Sequence, residues 1–283
     1  MSAGTGSNAG EQAVEQHYGS ADISARILAA LAAAGKDTAR LERADLAPFD
    51  EFHGGGIAST RDLAHYAGLA AGMHVLDVGC GIGGPARTLA AEFGCRVSGI
   101  DLTGEFVRAA RMLTARVGLQ HACEFVHGSG AALPWPDAHF DAVWSQNMLM
   151  NVADKAGFFA EVARVLKPGG RFAFECVLAG SGEPLHLPCF WATRAELSHL
   201  VTRDALAALL AGAALELDAL DDTTAAVIAQ GHKRRAAVAD AAPTTLSIAV
   251  IVPDDVSAKM DNALRNNEEG RTRTVKGICR RTG

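Results

Sequence analysis

The stretch VLDVGCGIGG, residues 75–84, decides the fold. An apolar run ends at Val78, and glycines follow at positions 79, 81, 83 and 84. Glycine adopts backbone conformations that other residues resist, so this run permits a tight turn directly after a strand. Where a helix begins after such a turn, its unpaired N–H groups and the positive end of its dipole face a ligand. The stretch therefore predicts a strand, a ligand-binding loop and a helix, in that order.

The chain beyond this loop alternates between strands and helices. Apolar runs predict strands at 74–78, 96–100, 123–126, 142–148 and 171–177, and helical spacing predicts helices at about 83–93, 104–117 and 154–166. Strands that alternate with helices of this length predict a parallel sheet covered on both faces. The closing stretch RTRTVKGICRR, residues 271–281, alternates as a half-covered strand does.

The segments outside this alternation are less regular. Residues 1–12 are small and polar and predict a disordered tail, and helical spacing follows from about Val14. Thr60 is expected to cap a helix that runs to about Tyr66. The stretch LAGSGEPLHLPCFWA begins an irregular insertion over about 178–200, and long loops in compact domains are often functional.

Composition excludes several classes of function. The chain has 283 residues, 49% of them hydrophobic, and a formal net charge of -6, which argues against a nucleic-acid partner. Neither a signal peptide nor a membrane-spanning run is recognisable, so we expect a cytoplasmic protein with no membrane partner. The six cysteines lack C-x-x-C spacing, which predicts reduced thiols and no metal site. Composition leaves a homo-oligomer open.

The glycine loop has two interpretations. The spacing G-x-G-x-x-G from Gly79 fits the dinucleotide loop of a nicotinamide oxidoreductase, and D-x-G-x-G-x-G from Asp77 fits a loop that binds S-adenosylmethionine (SAM). Both expect a ribose-binding acid about twenty positions on, here Asp101, although Asp101 could also cap the following helix. Asp77 favours SAM, because its carboxylate would repel a pyrophosphate but suits an ammonium and a sulfonium.

Two further motifs, FVHGSGAALPWPDAHFDAVWSQNMLMNV and RVLKPGG, complete a series. In combination, residues 61 to about 180 resemble class I SAM-dependent methyltransferases. The resemblance implies an α/β, Rossmann-like sheet of seven strands in the order 3-2-1-4-5-7-6 with strand 7 antiparallel. It also implies a helical lid within residues 1–60 and a methyltransferase domain over 61–283, with the insertion on the acceptor side.

More narrowly, YGS, FHGGG, GIDLTGEFVRAA, SQNMLMNVADK and NNEEGRTRTVKG resemble the small-molecule branch of this family. That branch includes sarcosine/dimethylglycine N-methyltransferases and natural-product methyltransferases. The resemblance implies methyl transfer from SAM to a small-molecule acceptor, an amine or a hydroxyl, by in-line displacement in a closed pocket, which releases S-adenosylhomocysteine. The alternatives are C-methylation of a natural product or isoprenoid, and a catalytically silent SAM-binding module. A nucleic-acid methyltransferase is disfavoured, because SQNM stands where [DN]-P-P-[YFW] is expected.

The matching motifs imply a cofactor site. Its expected members are Asp77, Gly79, Gly81, Gly83, Asp101, Leu102, Ser129, Gly130 and Gln146. Asp101 is expected to bind the ribose, Leu102 to border the adenine, and Gln146 to face the methionine end. Ser129 stands where relatives usually have an acidic residue that bonds the adenine amine. Asn147 stands where relatives often have a histidine, so no general base is inherited from that position.

Three further residues are candidates for catalysis. Tyr18 matches the lid tyrosine of the resembling family, although a tyrosine on a surface helix is commonplace. His53 in FHGGG could be a base, which a phenol or carbon acceptor requires, or a loop histidine satisfied by the backbone. His186 in the insertion could contact the acceptor or be an exposed loop residue.

Overall fold

Alternating strands and helices build the structure. The computed structural model describes residues 5–19, 22–51, 53–240, 246–252 and 254–283. The strands are β1 (His74–Val78), β2 (Arg96–Asp101), β3 (Cys123–His127), β4 (Phe140–Gln146), β5 (Leu166–Ala179), β6 (Leu215–Asp222) and β7 (Thr272–Arg281). The helices are α1 (Thr5–Tyr18), α2 (Ile23–Ala33), α3 (Arg43–Leu46), α4 (Gly56–Tyr66), α5 (Gly84–Phe93), α6 (Gly104–Arg116), α7 (Lys155–Val165), α8 (Arg203–Gly212), α9 (Thr224–Asp240) and α10 (Val256–Glu268).

The strands of the described residues form one seven-stranded sheet. Its order is β3-β2-β1-β4-β5-β7-β6, and β7 runs antiparallel to both β5 and β6. The other neighbours pair in parallel. The predicted fold class is therefore confirmed. The chain order reverses between β1 and β4, and ligands of such sheets bind in the crevice beyond the carboxyl ends of the strands at this point.

Apolar side chains cover both faces of the sheet. On one face Phe158 and Phe159 of α7 pack against Phe172 of β5, and their ring centroids lie 6.4 and 6.0 Å from that of Phe172. On the other face Trp144 of β4 packs in a cluster with Leu89 of α5. All five residues of β1 are buried, as expected for a central parallel strand. The strand that precedes the glycine loop is thus fixed from both sides.

A third apolar cluster attaches the N-terminal segment to the sheet domain. Ile23, Ile27 and Leu31 of α2 are fully buried, and they belong to one cluster with Phe106 and Leu113 of α6. Their spacing of four residues places them on one face of α2. The N-terminal segment therefore shares a core with α6, the helix that connects β2 to β3.

Several local expectations differ from the structure. Helix α1 begins at Thr5, so residues 5–12 are helical where composition predicts disorder; residues 1–4 and Phe52 lie outside the described residues. Thr60 does not cap a helix, because α4 begins at Gly56 after the left-handed Gly55, and Thr60 lies buried inside it. The stretch KPGG, residues 167–170, is an irregularity within β5, where the pairing with β4 jumps from Leu166 to Arg171.

A buried ion pair ties the segment between α3 and α4 to α5. The guanidinium of Arg87 is fully buried and pairs with the carboxylate of Asp50. Arg87 Nε donates to Asp50 Oδ2 at 3.4 Å, and Nη1 donates to Thr114 Oγ1 at 2.9 Å. Removing one member of such a pair leaves the other charge buried without compensation.

We therefore expect Arg87→Met to lower the free energy of unfolding by about 3–5 kcal/mol, measured by urea denaturation. Arg61→Met is the matched control, because Arg61 pairs with Glu92 in a half-exposed position. Its loss should stay below about 1 kcal/mol. Equal, small losses for both variants would contradict a structural role for the Arg87–Asp50 pair.

Candidate functional site

A cavity of about 980 Å³ opens at the carboxyl ends of the central strands. The loop after β1, the ends of β2, β4 and β5, and residues of α1, α9 and α10 line it. This volume lies near the upper end of the range for small-molecule pockets, which is roughly 300–1,000 Å³. The cavity lies where the strand order reverses, as the parallel sheet predicts.

The glycine loop forms the floor of this cavity through backbone conformations that favour glycine. Gly79, Gly81 and Gly83 have φ values of 79°, 53° and 85°. A Cβ on Gly79 would lie 2.6 Å from Met148 Cγ, so a side chain there would also collide with the wall. Gly83 is the N-cap of α5. The loop thus brings backbone and a helix N-terminus close to the space above it.

Asp77 places a carboxylate in the wall without a partner. The residue is 2% exposed, and its Oδ2 has no hydrogen bond among the described residues. Burial, together with the negative charges of Asp101 and Glu51, raises the pKa of Asp77 to about 8. A buried polar atom without a partner is unfavourable unless a ligand satisfies it. A cationic group in the cavity would be such a ligand.

Asp101, at the end of β2, is held in place by backbone donors. The N–H of Gly81 donates to Asp101 Oδ2 and the N–H of Thr103 donates to Oδ1, both at 2.8 Å. Thr103 is the N-cap residue of α6, so Asp101 supports the cap from two positions earlier. Burial raises the pKa of Asp101, although the two backbone hydrogen bonds oppose the rise. This carboxylate is therefore fixed beside the glycine loop.

The part of the cavity expected to hold adenine contains a residue that sequence analysis missed. Leu102, Ser129 and Gly130 all line the cavity, and His127 Nε2 lies 2.9 Å from the Leu102 carbonyl oxygen. Ser129 Oγ donates to a carboxylate oxygen of Glu11 on α1. Glu11 lies within the stretch that composition assigns to a disordered tail, so no signal in the sequence marked it.

Gln146 lines the cavity as expected, but its amide is already bonded. Its Oε1 accepts from Trp144 Nε1 at 3.0 Å and from Thr60 Oγ1 at 3.1 Å, and its Nε2 donates to Glu175 Oε2 at 3.0 Å. Ser59 Oγ donates to the same Glu175 oxygen at 2.6 Å. Gln146 therefore positions Glu175, whose carboxylate also lines the cavity. A single acidic residue inside the apolar run RFAFECV is the signal that could have identified Glu175.

His53 lines the cavity with both ring nitrogens facing acceptors. Nε2 lies 2.8 Å from Glu51 Oε2, and Nδ1 lies 3.1 Å from the carbonyl oxygen of Gly54. Burial alone would lower the pKa of His53, but the hydrogen bond and the charge of Glu51 outweigh it, so the pKa is raised. This arrangement favours an imidazolium that donates from both nitrogens. It does not favour the predicted alternative of a general base.

Tyr18 reaches the cavity from the end of α1. Its hydroxyl donates to Asn151 Oδ1 at 3.1 Å, and its ring centroid lies 6.0 Å from that of Phe106. Burial and the charge of Asp101 raise the pKa of Tyr18 well above its usual range. The side chain is thus a neutral hydrogen-bond donor at neutral pH, in the region where a lid residue is expected.

His186 lies outside the cavity, contrary to the expectation of an acceptor contact. Its Nε2 is 2.8 Å from Glu269 Oε2, and its backbone N–H donates to Asn266 Oδ1 at 2.9 Å. The insertion contributes Phe190 and Trp191 to the cavity instead. The partners of His186 come from α10 and the turn after it, about eighty residues along the chain, so local sequence could not show this orientation.

Two features are absent from the described residues. No helix in the described part of the chain is both long and apolar enough to cross a bilayer. No group of three or more His, Cys, Asp or Glu among the same residues is placed to hold a metal ion.

Comparison with known proteins identifies the family. Residues 76–174 match the family described as a methyltransferase domain. The chain is 41% identical over 110 residues to a sterol 24-C-methyltransferase of Gibberella zeae, and the aligned region covers 39% of this chain and 29% of that protein. It is 31% identical to the methyltransferase GfsG of Streptomyces halstedii over 64% of this chain and 66% of that protein. The chain belongs to the SAM-dependent methyltransferases.

A solved structure supports the fold. The geranyl diphosphate C-methyltransferase of Streptomyces coelicolor A3(2) superposes with a TM-score of 0.66 at 19% identity, covering 80% of this chain and 77% of that one. That structure contains Mg2+, geranyl diphosphate and S-adenosyl-L-homocysteine. At this identity the likeness concerns the fold alone. The chain spans about three tenths of the length of the sterol methyltransferases that it matches.

The Glu51–His53 pair generates a prediction about protonation. The raised pKa of His53 predicts that this histidine titrates above its ordinary value of 6.5, so its contribution to stability is complete below pH 6.5 and is lost as the pH rises through the folded-state pKa. Glu51→Gln removes the charge that raises the pKa, and burial should then bring the pKa below 6.5. Histidine NMR titration measures both values.

An unchanged pKa of His53 in the variant would contradict an imidazolium held by Glu51.

Proposed function

We propose that this chain transfers a methyl group from SAM to a small-molecule acceptor by in-line displacement inside the cavity. The observation that carries the proposal is the buried carboxylate of Asp77 without a partner, beside a glycine loop. A nicotinamide dinucleotide would bring a pyrophosphate to this carboxylate, whereas SAM brings an ammonium and a sulfonium. The match of the methyltransferase family over residues 76–174 supports the same assignment.

The residues present fit this cofactor. Asp77 would receive the ammonium group, and the fixed carboxylate of Asp101 would accept hydrogen bonds from the ribose hydroxyls. The adenine would lie in the part of the cavity lined by Leu102, Ser129 and Gly130. The glycine loop allows all of these groups to approach the backbone closely.

When bound, SAM supplies an electrophilic methyl group on a sulfonium that is already a good leaving group. The chain then has to position an acceptor in line and exclude water. Tyr18 of α1 and Asn151 are hydrogen-bonded to each other across the cavity, and this contact closes α1 over it. Glu175 places a carboxylate in the same wall, where it can receive the proton that an amine or hydroxyl acceptor releases.

The apolar part of the cavity indicates the kind of acceptor. Its wall contains the apolar side chains Val177, Phe190, Trp191, Met260 and Leu264. Apolar walls favour apolar ligands, so the proposal favours a largely apolar natural product or isoprenoid over a small zwitterion such as sarcosine. The names of the sterol and geranyl diphosphate C-methyltransferases, to which the chain is similar, support this choice.

Binding of S-adenosylhomocysteine tests the role of Asp77. The pKa of about 8 means that the empty site holds a proton at pH 7, and an ammonium ligand favours the ionised form. Binding should therefore release a proton, and affinity should rise up to tenfold per pH unit until about pH 8. Asp77→Asn should weaken binding about tenfold or more and remove this pH dependence. Calorimetry in two buffers of different ionisation enthalpy measures both effects.

Asp141→Asn is the matched control, because Asp141 is half-buried and does not line the cavity. The affinity of this variant for S-adenosylhomocysteine should equal that of the unmodified chain. A protein that binds NADH and not S-adenosylhomocysteine would overturn the cofactor assignment, and so would an Asp77→Asn variant of unchanged affinity.

An acceptor screen with methyl-labelled SAM tests the remaining part of the proposal. The panel contains glycine, sarcosine and dimethylglycine, phenolic natural products, sterols and prenyl diphosphates, and mass spectrometry locates the label. We expect labelled product from apolar acceptors. Label on sarcosine alone would contradict the apolar acceptor while retaining methyl transfer. Tight S-adenosylhomocysteine binding without product from any acceptor would favour the silent SAM-binding module.

A further inference from the structure

A carboxylate on α1 reaches the part of the cavity assigned to adenine. Glu11 and Ser129 both line the cavity, and Ser129 Oγ donates its hydrogen to Glu11. The backbone N–H of Ala131 donates to the same Ser129 oxygen at 3.0 Å. The Ser129 hydroxyl is therefore oriented by two partners, and its only hydrogen points to Glu11.

This arrangement fills a gap in the adenine wall. The resemblance places an acidic residue at position 129, where this chain has a neutral serine whose hydrogen is already donated. The neighbouring lining residues Ile100, Leu102, Gly128 and Gly130 offer no charged acceptor. A carboxylate retains several acceptor sites after it has taken one hydrogen bond. Glu11 is thus the side chain in this wall that can accept from an amine.

We propose that Glu11 binds the exocyclic amine of the adenine ring, so that α1, and not the sheet, selects an adenine cofactor. The inference rests on the proposed function, because it assigns one end of the same cofactor. An exocyclic amine donates two hydrogens, and a hydrogen bond from it to a carboxylate is charge-assisted. The carboxylate that relatives carry after β3 is supplied here by a different segment of the chain.

The same helix also contacts the other end of the cavity. Tyr18, seven residues after Glu11, donates to Asn151 at 3.1 Å. Seven residues make about two turns, so both side chains lie on one face of α1, about 10 Å apart along its axis. Binding of the adenine by Glu11 consequently holds in place the helix that positions Tyr18 beside Asn151 in the cavity.

The experiment compares two ligands by calorimetry: S-adenosylhomocysteine and S-inosylhomocysteine, in which a carbonyl replaces the adenine amine. The unmodified chain should prefer the adenosyl ligand. In Glu11→Gln a neutral amide replaces the carboxylate and can donate to the carbonyl. The preference should therefore fall by about tenfold, the change expected for one hydrogen bond to a charged group.

Glu15→Gln is the matched control, because it makes the same charge change on the same helix. Glu15 Oε1 lies 3.8 Å from His127 Nε2, and Glu15 does not line the cavity. Its preference for the adenosyl ligand should match that of the unmodified chain. Adding Ser129→Asp to Glu11→Gln should restore the preference, because it returns a carboxylate to the adenine wall.

Glu11→Gln would overturn the inference if it weakened both ligands by the same factor, since Glu11 would then only hold α1 in place. An unchanged preference would overturn it as well. If the unmodified chain bound neither ligand, the proposed function would fail, and that result is distinguishable from a failure of the Glu11 assignment alone.

Discussion

The cavity depends on a carboxylate that the fold keeps dry and unpaired. Asp77 is the fourth residue of β1, a strand buried along its whole length, so the side chain cannot turn away to reach water. Asp101 and Glu51 bring further negative charge to it. Each of these two acids has its own hydrogen-bond donors, whereas Asp77 Oδ2 has none among the described residues. In the empty site a proton relieves this arrangement, and a cation that enters the cavity can take the place of that proton.

The sequence predicts those parts of the site that are connected through short elements of fixed length. Asp77, the glycine loop and Asp101 are separated by one turn, one helix and one strand, so their spacing determines their geometry. Glu11 and Glu175 come from distant segments with no fixed spacing, and only the assembled sheet brings them to the cavity. His186 shows the opposite case, in which a candidate from the sequence does not reach the cavity. Its pairing with the distant Glu269 holds the side chain outside the cavity.

Helix α1 shows how tertiary contacts override composition. The stretch TGSNAGEQAVEQHY has few apolar residues and an unimpressive helical pattern, so the isolated segment has little reason to be helical. In the structure Glu11 meets Ser129, His17 Nε2 lies 3.1 Å from the carbonyl oxygen of Phe190, and Tyr18 meets Asn151. These contacts are polar and lie over a cavity. We therefore expect the order of α1 to depend on what occupies that cavity.

The polar network around His53 and the apolar wall of the cavity belong to different segments of the chain. Glu51 Oε2 accepts from His53 Nε2 at 2.8 Å and lies 2.9 Å from Thr60 Oγ1. Thr60 has one hydroxyl hydrogen, which Glu51 and Gln146 Oε1 share, and Gln146 in turn donates to Glu175. These groups belong to the loop before α4, to α4 itself and to the central strands, next to the glycine loop. The apolar wall belongs mostly to the insertion after β5 and to α10, with Val177 near the end of β5 as its other member. Substitutions in that wall can change which acceptor binds while the hydrogen-bonded groups around His53 and Glu175 stay intact. For this reason the fold determines the identity of the cofactor more closely than the identity of the acceptor.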